Sequence, residues 1–197
     1  MLSLIKGFDS QRRPLLDRAF RFRHEAFVKE AGWENLRRPD GREIDQFDTE
    51  DTIHVIATKG GEVQAYSRLN PTMKPHVLSE IYPHLASRGL LRDESAWEWS
   101  RMGTSKAARN DGRGWNGPIG LLFRCVSYAA LINQIDTLVW QAHPVWITRA
   151  SELGFDPEPL GLPQRINGER IIAAKMHVAE DIFQHMDAAQ VPSIHGD

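Results

Sequence analysis

A chain of 197 residues, 41% hydrophobic and 25% charged, has the size and core-forming content of one ordinary domain, residues 1–197. Its 24 basic and 26 acidic side chains leave a formal charge of −2, which argues against the basic face that nucleic-acid phosphates require. No run approaches the roughly 18 apolar residues of a membrane helix, and the apolar start is too short for a secretory signal, with Asp9 following at once. The expectation is therefore a cytoplasmic protein with neither nucleic acid nor membrane as partner.

Leu15, Leu16, Ala19, Phe20, Phe22, Ala26 and Phe27 recur at helical spacing and predict an amphipathic helix over 14–31, stopped near Gly32. Residues 34–51 read as a polar loop turning at Pro39-Asp40-Gly41. Residues 53–58 and 62–69 form a hairpin around Lys59-Gly60-Gly61. A strand over 96–104 leads through a glycine-rich loop to a long apolar helix over 118–132. A buried strand over 136–142, a short helix over 143–152 and a last strand over 170–178 follow, and a terminal helix over 179–189 runs into a polar tail. That order predicts an α/β architecture, a mixed sheet covered by helices, with no linker dividing it.

Three segments carry chemistry. Between Asp40 and Asp51 lie six carboxylates (Asp40, Glu43, Asp45, Asp48, Glu50, Asp51) against one base, Arg42, with Phe47 among them and Trp33 just before. Such a run is either a solvated loop or, with its aromatic neighbours, a site for a sulfonium or ammonium group. Trp97-Glu98-Trp99-Ser100-Arg101 places two charges in an apolar strand, where each must be paired, bound to ligand or open to a cleft. Glu98 and Arg101 face opposite sides of a regular strand and share a side only across a β-bulge. Arg109-Asn110-Asp111-Gly112-Arg113-Gly114 precedes a helix, where exposed N–H groups and the helix dipole suit a pyrophosphate, or else form a plain surface turn.

Other chemistries find no support. The lone Cys125 sits in the run Leu121-Leu122-Phe123-Arg124-Cys125-Val126 with no activating neighbour, so a packing role is expected. Eight scattered histidines show no ligand spacing, and no metal is expected.

Read together, Arg23-His24-Glu25-Ala26-Phe27, Gly32-Trp33, Glu43-Ile44-Asp45-Gln46-Phe47-Asp48, Ser67-Arg68-Leu69 and Glu98-Trp99-Ser100-Arg101 resemble, in order and spacing, the signature of the acyl-homoserine-lactone synthases, the autoinducer synthase family. The resemblance covers about residues 15–160. It implies a GNAT-like three-layer α-β-α sandwich with a mixed central sheet and a bulged strand near Glu98. It also implies an acyltransferase that acylates the amine of S-adenosylmethionine (SAM) from a thioester, then closes a lactone and releases methylthioadenosine, making a quorum-sensing signal.

Carried over residue by residue, Glu98, Arg101, Asp45 and Asp48 are the catalytic candidates, with Glu98 as general base. Arg23, Phe27, Trp33 and Arg68 line the SAM site. Ser100, Met102, Arg109, Gly112, Arg113, Gly114, Phe123, Trp140 and Trp146 are the acyl-donor candidates. No permanent cofactor is implied; the substrates are SAM and acyl-CoA or acyl-carrier protein, and the expected state is a monomer or weak homodimer. Residues 37–43 and 72–76 are most similar to a branch taking branched or aryl acyl-CoA, and Val139-Trp140-Gln141-Ala142 departs from synthases of 3-oxo-acyl signals, which often carry threonine there. An N-acyltransferase of another amine and a non-catalytic SAM-binding relative share parts of this pattern.

Overall fold

The computed structural model describes residues 1–110 and 114–178. Chain contacts divide the described residues into two compact units, the first holding Met1–Arg68 and the chain from Arg101 to Val126, the second Leu69–Ser100 and the chain from Ser127 to Val178. The boundaries fall inside two strands and one helix, so each of these elements contributes residues to both units.

In the first unit, β1 (Leu2–Lys6) pairs antiparallel with β2 (Ile53–Lys59), Leu2 opposite Ala57 and Lys6 opposite Ile53. The predicted hairpin continues from β2 to β3 (Glu62–Pro71), and strand order then runs β1-β2-β3-β4, with β4 spanning Ala96–Thr104. Helix α1 (Arg13–Arg23) starts at a proline and buries Leu16, Ala19, Phe20 and Arg23, one stripe at helical spacing. Its apolar members pack with Ile5, Ile56, Val63 and Tyr66 into one core. The predicted helix over 14–31 is not uniform: after Arg23 it widens into a π-helical stretch, His24–Glu30. The Ala31 amide reaches back five residues to the Ala26 carbonyl, 3.1 Å, and the Trp33 amide six, to Phe27, 2.9 Å. Helix α3 (Pro118–Ile132) begins here and buries Phe123 and Cys125; burial pushes the Cys125 thiol up to about 12, in keeping with a packing role.

In the second unit, the first half of β4 pairs in parallel with β5 (Thr137–Ala142), Ala96 opposite Thr137 and Glu98 opposite Val139. A parallel pair requires a long crossover, and α3 lies in it. β5 then pairs antiparallel with β8 (Glu169–His177), which also carries the short strands β6 (Glu158–Pro159) and β7 (Gln164–Ile166). A one-turn helix α2 (Val77–Glu80) and helix α4 (Val145–Glu152) complete the described elements, and Leu78, Leu85, Ala86, Val139, Leu160 and Ala173 form the unit's core. The sheet is mixed, as the sequence predicts. The terminal helix expected over 179–189, and Gly112 and Arg113, lie outside the described residues.

Candidate active site

Three arginines that the sequence places in separate apolar segments converge in the first unit on three carboxylates of the 43–48 segment. Arg23, at the end of α1, donates from Nε to Glu43 Oε2 at 2.7 Å, and from Nη1 and Nη2 to the two oxygens of Asp48 at 2.7 and 2.9 Å. Arg68, on β3, donates from Nη1 to Asp45 Oδ1 at 2.6 Å and lies 3.1 Å from Asp48 Oδ1. Arg101 donates from Nε to Glu43 Oε2 at 3.0 Å, and from Nη2 to Glu43 Oε1 at 3.1 Å and Asp45 Oδ2 at 2.6 Å. Three positive and three negative charges balance, which is what allows so many ionised groups to be buried together. The acidic run is therefore not merely a solvated loop, because Glu43, Phe47 and Asp48 are buried.

Burial alone would raise the carboxyl groups; the facing charges reverse it. Arg23 and Arg68 hold Asp48 well below the usual carboxylate range, and Arg23 and Arg101 hold Glu43 low. Behind the cluster, Arg23 Nη1 donates to the Tyr66 hydroxyl at 3.2 Å, and that hydroxyl lies 2.7 Å from His54 Nδ1. Burial pushes Tyr66 up to about 12 and His54 down to about 4, so both stay neutral.

The cluster has an aromatic margin. Phe27, from the π-helical stretch, stacks on Trp33 with ring centres 5.2 Å apart and planes within 16°. The Arg101 guanidinium lies 5.8 Å from each ring centre, and Trp33 remains 44% exposed. Arg101 itself has φ of 53°, in the left-handed region that non-glycine residues seldom occupy. The alternation of burial along β4 is broken over Glu98, Trp99 and Ser100, all buried, just before Arg101, and Cα pairing with β5 runs from Ala96 to Glu98.

Glu98 belongs to the second unit and is fully buried. The first amides of α2 hold it: Val77 N–H donates to Oε2 at 3.2 Å and Leu78 N–H to Oε1 at 2.6 Å. Trp99, next along β4, packs edge-on with Trp140 and with Trp146, ring centres 6.4 and 6.2 Å away. Trp140 is buried and Trp146 half-buried.

The remaining donor candidates are less concentrated. Ser100 is buried, Met102 half-buried, and Phe123 is buried in the first unit. Arg109 donates to the Thr104 carbonyl at 2.9 Å and pairs with Glu30 at 2.8 Å. Gly114, with φ of 55°, opens a short 3-10 turn before α3. Glu43 and Tyr66 are participants that sequence reasoning did not single out. The available signal was arithmetic: Arg23, Arg68 and Arg101 each stood in an apolar segment and needed a partner, while Asp45 and Asp48 supplied only two. Among the described residues no group of His, Cys, Asp or Glu side chains could hold a metal ion, and no helix is long and apolar enough to cross a membrane.

A mixed sheet with a parallel β4–β5 pair fits the fold of the acyl-CoA N-acyltransferases. An acyl-CoA N-acyltransferase from Pseudomonas aeruginosa has the same fold, with a TM-score of 0.56 at 19% identity, over 91% of this chain and 99% of that one. Residues 8–186 match the autoinducer synthase family, and the chain belongs to that family. It is an acyl-homoserine-lactone synthase, and so an acyltransferase enzyme. It is 38% identical to the isovaleryl-homoserine lactone synthase of Bradyrhizobium diazoefficiens, over 91% of this chain and 81% of that one. A CoA-dependent acyl-homoserine lactone synthase, BjaI, solved with SAM and isopentyl-CoA, superposes with a TM-score of 0.88 at 36% identity, over 98% of this chain and 91% of that one.

Proposed function

We propose that this enzyme transfers a short branched or aryl acyl group from CoA to the α-amine of SAM and then closes the homoserine lactone. The observation that carries the reading is the neutral Arg23–Arg68–Arg101 and Glu43–Asp45–Asp48 cluster with the exposed Trp33 face at its edge. Its charges are matched within the protein, so Asp45 and Asp48 act through the arginines they orient, and the stacked Phe27–Trp33 pair meets the cationic, nucleoside-bearing substrate. Arg68 and Arg101 place its carboxylate. The relatives that make isovaleryl-homoserine lactone or bind isopentyl-CoA support the donor class.

Glu98 takes a proton from the amine, whose ordinary pKa is about 7.7–8.0, as its nitrogen attacks the thioester carbonyl. The C–N bond forms, the C–S bond breaks, and CoA leaves as its thiol. Backbone N–H groups near the irregular β4 segment stabilise the oxyanion. The methionine carboxylate then attacks its own γ-carbon, the bond to the sulfonium breaks, and neutral methylthioadenosine departs. That ring closure is intramolecular, so holding the chain folded supplies much of its rate. Trp140 and Trp146 bound the acyl chain, and Ser100, Met102, Phe123 and the loop containing Arg109, Gly112, Arg113 and Gly114 contact the rest of the donor. The reaction belongs in the cytoplasm, where both substrates are made, and the working form is a monomer or weak homodimer.

Purified protein given SAM and isovaleryl-CoA is expected to release isovaleryl-homoserine lactone, methylthioadenosine and CoA in equal amounts, read by mass spectrometry. Matched isovaleryl-acyl-carrier protein is expected to be the poorer donor. Release of CoA without a lactone would point to acylation of another amine, and an excess of kcat/KM for the carrier would overturn the donor assignment.

A further inference from the structure

We propose that His76 is a positioning residue for Glu98, anchoring the one-turn helix whose first two amides hold that carboxylate. The inference rests on the reading of Glu98 as the general base.

Helix α2 has only four residues, and a single turn fixes several dihedrals for very few hydrogen bonds, so it does not hold its place unaided. His76 precedes it with an extended backbone, φ −145° and ψ 170°, and its side chain is fully buried. Its Nδ1 lies 2.8 Å from the Lys74 carbonyl. A carbonyl only accepts, so Nδ1 donates to it, which leaves the ring's other nitrogen, Nε2, for a second partner. That Nε2 is buried and has no partner among the described residues.

The His76 amide donates to Ser79 Oγ at 3.1 Å, the Ser79 hydroxyl lies 3.1 Å from the His76 carbonyl, and the Glu80 amide donates to the same carbonyl at 3.0 Å. The His76 backbone thus binds Ser79 and Glu80 of α2, while its side chain ties that backbone to the Lys74 carbonyl of the 74–76 strap. The two amides between these ties, on Val77 and Leu78, are the ones directed at Glu98. Donors to a carboxylate favour its ionised form and fix its direction. Without the tie, a fully buried Glu98 loses those donors and turns away from the amine.

The test measures kcat and KM for SAM, with isovaleryl-CoA, in wild type, His76→Phe, His76→Asn, Ser79→Ala and Glu98→Gln. His76→Phe is expected to lower kcat by roughly tenfold or more, part of the 10²–10⁴-fold that general-base catalysis supplies, with KM within about twofold. His76→Asn, whose amide N–H can replace Nδ1–H toward Lys74, is expected to recover most of the rate. Should His76→Phe not fold, Ser79→Ala carries the same expectation for kcat and KM, weaker in degree. A change in KM alone overturns the proposal, as does an Asn variant no better than Phe. Turnover by Glu98→Gln within about threefold of wild type instead removes the base itself. An inactive Glu98→Gln beside a His76→Phe of wild-type kcat removes only His76.

Discussion

Glu43 accepts from both Arg23 and Arg101, so neutralising it separates charge balance from shape. Glu43→Gln keeps the volume but leaves the buried cluster with one unmatched positive charge. Breaking a buried pair by removing one partner typically costs about 3–5 kcal/mol, whereas an exposed pair such as Arg37–Glu34 is screened by water and contributes little. Glu43→Gln is therefore expected to lower the denaturant midpoint sharply, and Glu34→Gln hardly at all. Equal small shifts would mean that the cluster is hydrated and its pairing weak. Glu98→Gln is the opposite case. Its partners are two amides, which a side-chain amide oxygen can still accept in part, so the variant is expected to fold and bind SAM while turnover falls at least roughly 10²-fold. Substrate binding by fluorescence and turnover by mass spectrometry read the two halves of that statement.

The residues of this site were legible in the sequence to the extent that chemistry alone demanded them. Glu98 and Arg101 stand out because ions in a Trp-rich strand need an explanation. Glu43 did not stand out, since six carboxylates in one loop look alike and burial is what distinguishes it.

At the level of elements, long segments with strong periodicity read correctly: β4 and α3 fall at their predicted bounds, and β5 and β8 within a residue or so. The elements that were not legible are those whose stability comes from a partner. β1, β6 and β7 are strands of two to five residues that form on an existing edge, and α2 is one turn held by side chains. The π-helical stretch escaped for another reason. Apolar spacing over 24–30 is the same for either winding, and only the i→i+5 bond reveals it. It matters because it brings Trp33 onto Phe27.

The aromatic group on β4, β5 and α4 carries a prediction about donor length. Trp146 packs on Trp99 but stays half-buried, so it can be trimmed with less damage than Trp140. Overfilling a packed site costs about 1–3 kcal/mol, or roughly 5- to 150-fold in preference. Wild type is expected to favour isovaleryl-CoA over dodecanoyl-CoA by that margin, and Trp146→Ala to narrow it at least about fivefold. If dodecanoyl-CoA already matches isovaleryl-CoA in kcat/KM, the tryptophans do not bound the acyl chain.

At the scale of the whole molecule, acid stability adds several of these groups with one sign. His54 has its pKa lowered from 6.5 to about 4 by burial, so the unfolded chain takes up its proton first as pH falls below about 6.5. Glu43 and Asp48 are also depressed, so their contribution is present above the ordinary carboxylate pKa values, 4.5 and 3.8, and is lost as pH falls below them. Stability should thus decline gently from pH 6.5 and steeply below about 4.5. The His54 share is on the order of 3 kcal/mol, from 1.36 kcal/mol per unit. His54→Phe is expected to flatten the upper part of the curve and leave the lower part; an unchanged slope between pH 6.5 and 4.5 would assign the decline elsewhere.

The two compact units raise the question of whether they unfold separately. Strands β3 and β4 and helix α3 are each divided by the unit boundaries, at 68/69, 100/101 and 126/127. Melting the first unit alone would fray β3, β4 and α3 at midlength and break hydrogen bonds within each continuous element. An unsatisfied buried group costs about 1–3 kcal/mol, and several would be exposed at once. A boundary through a flexible linker carries no such cost, which is why domains that unfold independently are normally joined by one. We therefore expect residues 1–197 to behave as one cooperative domain. Calorimetry should give a single transition whose van't Hoff and calorimetric enthalpies agree, with Glu43→Gln in the first unit shifting the whole transition. Two resolved transitions, only one of them moved by Glu43→Gln, would show that each unit holds its half-strands without the other.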